Sequence, residues 1–338
     1  PEWVLLDLAT VAVRGISVGF YPTNPTAEVE YLITDSGSVV HFAEDQEQYD
    51  KLVEIGREQL PSVRKIVFAE PRGMVGLVDD DDRLLFWDNL LELGREHRRE
   101  HPQAVAERMA AALPEDVMTL VYTSGTTGPP KGAMLTNANS VFCIDHIIRA
   151  EGRISGGPAG PDDQIVTYLP LCHVAERIFS TWTLVSSGPV LNFAEAIETV
   201  TENLREIQPT LFFAVPRIWE KLHAVAMIKG NDASWFKKRI LRFGLALARR
   251  IGKIKVANGG DHTFQSRVLT AIGWPLVFRA MRERLGLRRV RWAGTGAAPI
   301  APEVIEFFIG IGVPVYELYG MTENSAVAPG GSRSLTRW

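Results

Sequence analysis

Residues Tyr122 to Gly132 read Y-T-S-G-T-T-G-P-P-K-G. Five small hydroxyl or glycine residues stand in a row, Thr123 to Thr127, and Gly128, Pro129 and Pro130 follow. Such a run suits neither a helix interior nor a strand interior. It sits between an apolar run that reads as a buried strand, Val117 to Val121, and a helical pattern from Asn137 to Ile148. A chain leaving a strand into glycines and hydroxyls can aim backbone N–H groups at one point and make an anion-sized concavity. The hydroxyls add donors, and Lys131 adds a positive charge on a long stem. The guest this chemistry suits is a polyphosphate. Two commoner phosphate loops do not fit. Lys131 follows Pro130 and precedes Gly132, so G-x-x-x-x-G-K-[S/T] fails, and G-x-G-x-x-G is absent. A flexible linker is the bland alternative for a Gly/Ser/Thr run, but the position between an apolar strand and a helix argues against it.

Extended through A-M-L-T-N-A-N (Ala133 to Asn139), the stretch resembles the phosphate loop of the adenylate-forming, acyl-activating superfamily, more narrowly that of the long-chain fatty acyl-CoA synthetases. The resemblance implies that Thr123, Ser124, Gly125, Thr126, Thr127, Gly128 and Lys131 hold ATP phosphates. Further along, V-Y-E-L-Y-G-M-T-E (Val315 to Glu323) is similar to the family's Y-G-x-T-E signature. It implies that Tyr319 stacks on adenine, with Gly320 and Met321 in the same ATP-binding stretch. Thr322 would donate to the α-phosphate, and Glu323 would hold Mg²⁺, a hard cation that takes oxygen ligands. R-W-A-G-T-G-A-A-P (Arg291 to Pro299) resembles the adenine-binding turn, which assigns Gly296, Ala297 and Ala298 to one face of the purine. P-L-C-H-V-A-E-R (Pro170 to Arg177) places His173 beside the carboxylate substrate by resemblance; from the residues alone, a hydrogen-bonded core or capping histidine serves as well. V-P-R-I-W-E-K (Val215 to Lys221) resembles a stretch of the long-chain enzymes and suggests Arg217 and Trp219 near the acyl group. A helix start packing on the core explains those two equally.

The rest of the chain alternates short apolar runs with helical patterns. Val39 to Ala43, Lys65 to Phe68, Ile165 to Leu169, Pro189 to Phe193 and Thr210 to Val215 read as strands. Asp45 to Arg57 and Ile197 to Ile207 read as helices, and Thr26 as the cap of another. Alternation of this kind predicts an α/β fold, parallel sheets flanked by helices. The family resemblance divides it into residues 1–328 of a partial adenylation domain, 1–115 forming its first α/β portion and 116–328 the nucleotide-binding portion, then a tail, 329–338, unlike the family. The acids Asp79 to Asp82 read as a solvated loop.

A net charge of −4 gives no overall case for nucleic acid. Two cysteines, Cys143 and Cys172, fit a reducing cytosol, and no signal-peptide pattern is seen, so a cytoplasmic location is expected. Charge is nevertheless uneven. Residues 229–291 hold 16 Lys or Arg against 3 acids, so the remaining 275 residues carry −17. Within that stretch Trp235, Phe236, Ile240, Phe243, Leu247 and Ile251 recur at helical spacing among cations. The stripe suits packing on the domain, while the cations suit peripheral contact with an anionic membrane.

The function expected from the resemblance is activation of a fatty acid by ATP to an acyl adenylate with release of pyrophosphate, then transfer to coenzyme A. Lys131, Thr322, Glu323 and His173 would be the catalytic residues, with ATP, Mg²⁺ and coenzyme A required. Two alternatives stay open: an acyl-adenylate enzyme that feeds a carrier-protein thiol, and a truncated remnant that folds and binds nucleotide without turnover. The family's T-G-D segment, hinge and small lysine-bearing domain do not appear in the chain.

Overall fold

The computed structural model describes residues 1–70, 76, 81–123, 128–154, 157–228 and 235–325. The chain divides into two compact units, Pro1–Asn139 with Pro170–Val174, and Ser140–Leu169 with Ala175–Trp338. The boundary expected at 115/116 falls inside the first unit.

The first unit runs α1 (Glu2–Ala12), β1 (Ser17–Gly19), α2 (Thr26–Ser36), β2 (Val40–Ala43), α3 (Gln46–Ile55), β3 (Lys65–Phe68), β4 (Leu84–Phe86), α4 (Trp87–Glu100), α5 (Ala104–Ala110), β5 (Val117–Thr123) and β6 (Lys131–Thr136). β2, β3 and β4 form a parallel sheet, β3 in the middle. Its apolar side chains meet Val29 and Ile33 of α2 and Tyr49 and Leu52 of α3 in one buried cluster. Asp45 caps α3, accepting from the Gln48 amide at 3.1 Å. Thr26 does not cap α2. Pro25 holds the N-cap position in extended conformation, and the Thr26 hydroxyl instead donates to Glu54 at 2.7 Å. Of the acidic run, Asp79 and Asp80 lie outside the described residues and Asp82 is exposed, but the Asp81 carboxylate lies 2.7 Å from the guanidinium of the buried Arg83, which keeps the Asp81 pKa below the usual carboxylate value.

α6 (Asn137–Ile154) starts in the first unit and continues into the second. The second unit then holds β7 (Gln164–Thr167), α7 (Val174–Arg177, whose first residue belongs to the first unit), α8 (Thr183–Ser187), β8 (Val190–Phe193), α9 (Val200–Ile207), β9 (Leu211–Ala214), α10 (Pro216–Ile228), α11 (Trp235–Ala257), α12 (Phe264–Gly273), α13 (Arg279–Arg284), β10 (Trp292–Thr295), α14 (Pro302–Gly310) and β11 (Val315–Glu317). Its five strands are all parallel, in the order β11-β10-β9-β7-β8. β9 and β10 are buried at every residue, as expected of central strands covered on both faces. Trp219 of α10 is fully buried against Phe212 and Phe308, and its indole N–H donates to the Gly294 carbonyl at 3.3 Å. It is therefore a core residue, not a pocket wall.

Strand order also contains a reversal of direction. From β7 the chain goes outward to the edge strand β8, returns on the other side of β7 as β9, and continues through β10 to β11. Connections thus leave β7 and β9 in opposite directions, and open α/β sheets bind ligands beyond the carboxyl ends of strands at such a switch. The opposite ends are tied down by Asp163, which accepts from Arg291 at 2.6 Å, Thr210 at 2.6 Å and the Gly160 amide at 2.9 Å.

Candidate active site

In the first unit the sequence predicts strand, loop, helix around the phosphate loop. The structure instead returns the chain as β6 before the helix. β6 runs antiparallel to β5 with Tyr122 opposite Gly132 and Thr123 opposite Lys131. Lys131 is the first residue of the returning strand, and it is exposed. A short alternation carried the missed signal: Met134 points to solvent while Leu135 is buried. Ser124, Gly125, Thr126 and Thr127 lie outside the described residues. Gly128 has φ +86° in open space, a conformation only glycine adopts freely.

The base of this hairpin is held by residues that no motif flagged. Tyr31 of α2 donates its hydroxyl to the Pro130 carbonyl at 3.0 Å, one residue before Lys131. Asp35, one turn further along α2, accepts from the Tyr122 hydroxyl at 2.7 Å. Burial, followed by the bond to Asp35, raises the Tyr122 pKa, so the phenol stays protonated. Gly132 lies on the Tyr122 ring, where an added Cβ would come within 3.2 Å. Tyr31 and Asp35, spaced i, i+4 on one helix, were legible only as a polar face; nothing local shows what they hold.

Pro170–Val174 belongs to the same unit. It lies against β1, where a Cβ on Gly19 would sit 2.6 Å from Cys172. His173 donates its amide to the Pro170 carbonyl at 2.9 Å. Its half-buried ring has a lowered pKa because burial disfavours the cation, so the imidazole is neutral at pH 7.

In the second unit the turn after β10 and the loop after β11 are neighbours. The Leu318 amide donates to the Thr295 carbonyl at 2.8 Å, and a Cβ on Gly296 would stand 3.0 Å from the Leu318 carbonyl oxygen. Ala297 is held at φ +70°, a left-handed conformation that costs a non-glycine residue roughly 1 kcal/mol. Ala297 and Ala298 are exposed, as are Tyr319, Gly320 and Met321. Thr322, half-buried, and Glu323, exposed, sit in a single 3₁₀ turn, Thr322–Asn324. The turn is closed by the Met321 amide donating to Asn324 at 3.2 Å. Cys143 of α6 donates its thiol to the Ser325 carbonyl at 3.3 Å, and burial pushes that thiol up to about 12, so it remains a donor. Among the described residues no group of three or more His, Cys, Asp or Glu could hold a metal by itself. One exposed carboxylate, Glu323, is nevertheless the donor expected for Mg²⁺, which takes one or two carboxylates and completes its shell with phosphates and water.

Arg217 is exposed on the first turn of α10, directly after β9. At the end of β7 the informative side chain is one the motif contained but the sequence did not single out, Glu176. It is 4% exposed, and burial pushes its carboxyl up to about 8 although the Leu169 backbone favours the charged form. The folded chain therefore keeps a proton that an unfolded glutamate releases near its ordinary pKa of about 4.3. Stability contributed by this group is complete below that value and falls as pH rises toward 8. Glu176→Gln keeps the shape without the acid. It is expected to match the parent near pH 4.5 and exceed it at pH 8 by on the order of 3–4 kcal/mol. Urea unfolding at the two pH values measures this; equal stabilities at pH 8 contradict a protonated Glu176.

The family model for AMP-binding enzymes matches residues 1–336, past residue 328 where the adenylation-domain portion was expected to end and into the tail expected to be unlike the family. The chain is 31% identical over 330 residues to the long-chain-fatty-acid–CoA ligase ACSBG2 of Xenopus laevis, with 96% of this chain and 42% of that protein covered. Against the Homo sapiens ACSBG2 the identity is 29% over 330 residues, with 96% and 46% covered. The chain thus spans less than half the length of these relatives. Among solved structures, the A domain of the carboxylic acid reductase from Segniliparus rugosus, in complex with AMP and a co-purified carboxylic acid, aligns with TM-score 0.57 at 25% identity. That alignment covers 95% of this chain and 47% of that one. A long-chain-fatty-acid-CoA ligase from Archaeoglobus fulgidus has the same fold, with TM-score 0.56 at 18% identity, covering 96% and 51%. A helix-flanked parallel α/β fold, the paired strand-end loops and a family match along almost the whole chain lead to one conclusion: the chain belongs to the AMP-binding enzyme family.

Proposed function

We propose that the chain carries the adenylation machinery of a long-chain fatty acid–CoA ligase. A fatty acid carboxylate attacks the α-phosphorus of ATP, an acyl adenylate forms, and pyrophosphate leaves. The thiol of coenzyme A then displaces AMP and leaves a thioester. The observation that carries this proposal is the hairpin base pinned by Tyr31 and Tyr122, which sets Lys131 directly opposite Thr123.

The first step brings anions together, so positioning and charge neutralisation supply most of the rate. Lys131 neutralises charge that develops on the leaving pyrophosphate, and the Thr123 hydroxyl donates to the same oxygens. Thr322 donates at the α-phosphate. Tyr319 offers an exposed aromatic face, and the small Gly296–Ala298 turn lets a purine approach the backbone. Mg²⁺, when bound, offsets phosphate charge, and Glu323 would hold it. Neutral His173 donates one hydrogen bond to the carboxylate without protonating it, which leaves the nucleophile charged. Arg217 supplies a cation for the incoming acid. The same proposal makes the chain a cytoplasmic enzyme that rests on the inner face of a membrane.

Tyr31→Phe removes a single hydrogen bond from the hairpin base, worth about 1 kcal/mol. The expected result is a KM for ATP raised about fivefold with a smaller change in kcat; an unchanged KM contradicts the pinning role. The function itself is tested by binding of a non-reactive acyl-adenylate mimic, a long-chain acyl sulfamoyl adenosine. Tighter binding than AMP, increasing with acyl length, is expected. Equal binding of AMP and the mimic removes the fatty acid from the proposal.

A further inference from the structure

α11 uses only one arc for packing. Gly244, Leu247, Ala248, Ile251 and Gly252 are buried, and α11 lies so close on α14 that a Cβ on Gly252 would be 2.0 Å from the Glu306 carbonyl oxygen. The opposite arc faces solvent and repeats at helical spacing through Trp235, Arg239, Arg242, Phe243, Arg249 and Arg250. Trp235 is 72% exposed and Phe236 64%, and the Arg239 guanidinium lies 5.8 Å from the Trp235 ring centroid. The adjacent α12 opens on Phe264, 84% exposed, and carries an exposed apolar stripe of its own through Val268 and Ile272, four and eight residues on. The ion pairs of this region use Arg288 and Arg291. Among the described residues Lys237, Lys238, Arg239, Arg242, Arg249 and Arg250 have no carboxylate partner.

We propose that the outer faces of α11 and α12 dock on an anionic lipid bilayer, the aromatic and aliphatic side chains entering the headgroup boundary and the cations meeting lipid phosphates. This deepens the membrane contact included in the proposed function and rests on it. Charge and apolar surface together select the partner. A nucleic acid would satisfy the cations but leave Phe264, Val268 and Ile272 in water, whereas a bilayer accepts both. With −17 spread over the other 275 residues, an anionic surface repels the remainder of the chain and orients it with this face inward.

The test is co-sedimentation of the full 338-residue chain with vesicles of phosphatidylcholine alone and of phosphatidylcholine mixed with phosphatidylglycerol. The chain is expected to pellet with the mixed vesicles only, and less as salt rises. Trp235→Ser/Phe236→Ser/Phe264→Ser and, separately, Arg239→Glu/Arg242→Glu are each expected to lower partitioning about tenfold with circular dichroism unchanged. A folded parent chain that stays in the supernatant with both vesicle types overturns the proposal, as does either variant pelleting like the parent. Sedimentation equilibrium that finds a dimer converted to monomer by the aromatic variant assigns the face to a second copy instead. Pyrophosphate exchange in vesicle-free solution, unchanged in both variants, separates a failure of docking from a failure of the proposed chemistry.

Discussion

Lys131→Ala is expected to slow carboxylate-dependent adenylation by about 10²–10³-fold, the usual cost of removing one preorganised charge stabiliser. The fold should be untouched, because the side chain is exposed and its strand pairs through the backbone with Thr123. Lys131→Arg should recover only part of the rate, since a planar fork does not reproduce a compact ammonium at the same reach. Single-turnover formation of acyl adenylate measures the effect. Unchanged kinetics in the alanine variant would remove Lys131 from the mechanism and leave the hairpin as mere structure.

A larger effect on stability is expected at Arg282. Its side chain is buried and its guanidinium makes four hydrogen bonds. Nε donates to Leu287 at 3.0 Å, Nη1 to Gly312 at 2.8 Å, and Nη2 to Arg288 at 3.0 Å and Val290 at 2.8 Å, all at carbonyl oxygens. The Trp274 ring centroid lies 5.5 Å from it. Burial lowers its pKa to about 10, which still leaves it charged at pH 7. One side chain thus ties the chain entering β10 to the connection between α14 and β11. Arg282→Leu keeps apolar bulk but takes the guanidinium away from the Gly312, Arg288 and Val290 carbonyls and leaves Leu287 only its bond from the Val290 amide, and a loss of about 3–5 kcal/mol is expected. Urea unfolding followed by tryptophan fluorescence reads it directly. A loss below about 1 kcal/mol, the worth of one ordinary hydrogen bond, would mean that water replaces the guanidinium at those carbonyls.

Much of this architecture was legible in the chain because strands and helices alternate regularly along much of both units. Apolar runs such as Lys65 to Phe68 form strands with the expected bounds, and Thr210 to Val215 contracts only to Leu211–Ala214. What failed was local competition. Thr26 has the chemistry of a cap, yet Pro25 already occupies that position and Glu54 is a better partner for the hydroxyl. Lys131 reads as a loop residue because prolines precede it, and four alternating residues after it were too short to announce a strand. Asp81 reads as solvated, yet it pairs with Arg83 two residues on, and it is the fold that buries that guanidinium. The site divides the same way. Tyr319, Thr322 and Glu323 stand together in the loop that follows β11, since local sequence makes that loop. Tyr31 and Asp35 act on residues 99 and 87 positions away, a relation that no local pattern contains. Glu176 was visible as an acid but not as a protonated one, because its pKa depends on burial by distant strands.

The most direct measurement is exchange of labelled pyrophosphate into ATP by this chain with Mg²⁺, carried out with carboxylic acids of increasing length. The predicted result is exchange that requires a carboxylate, strengthens toward long chains and disappears in Lys131→Ala. A folded chain that catalyses no exchange with any acid, or exchange indifferent to the carboxylate, would contradict the adenylation of a fatty acid by these residues.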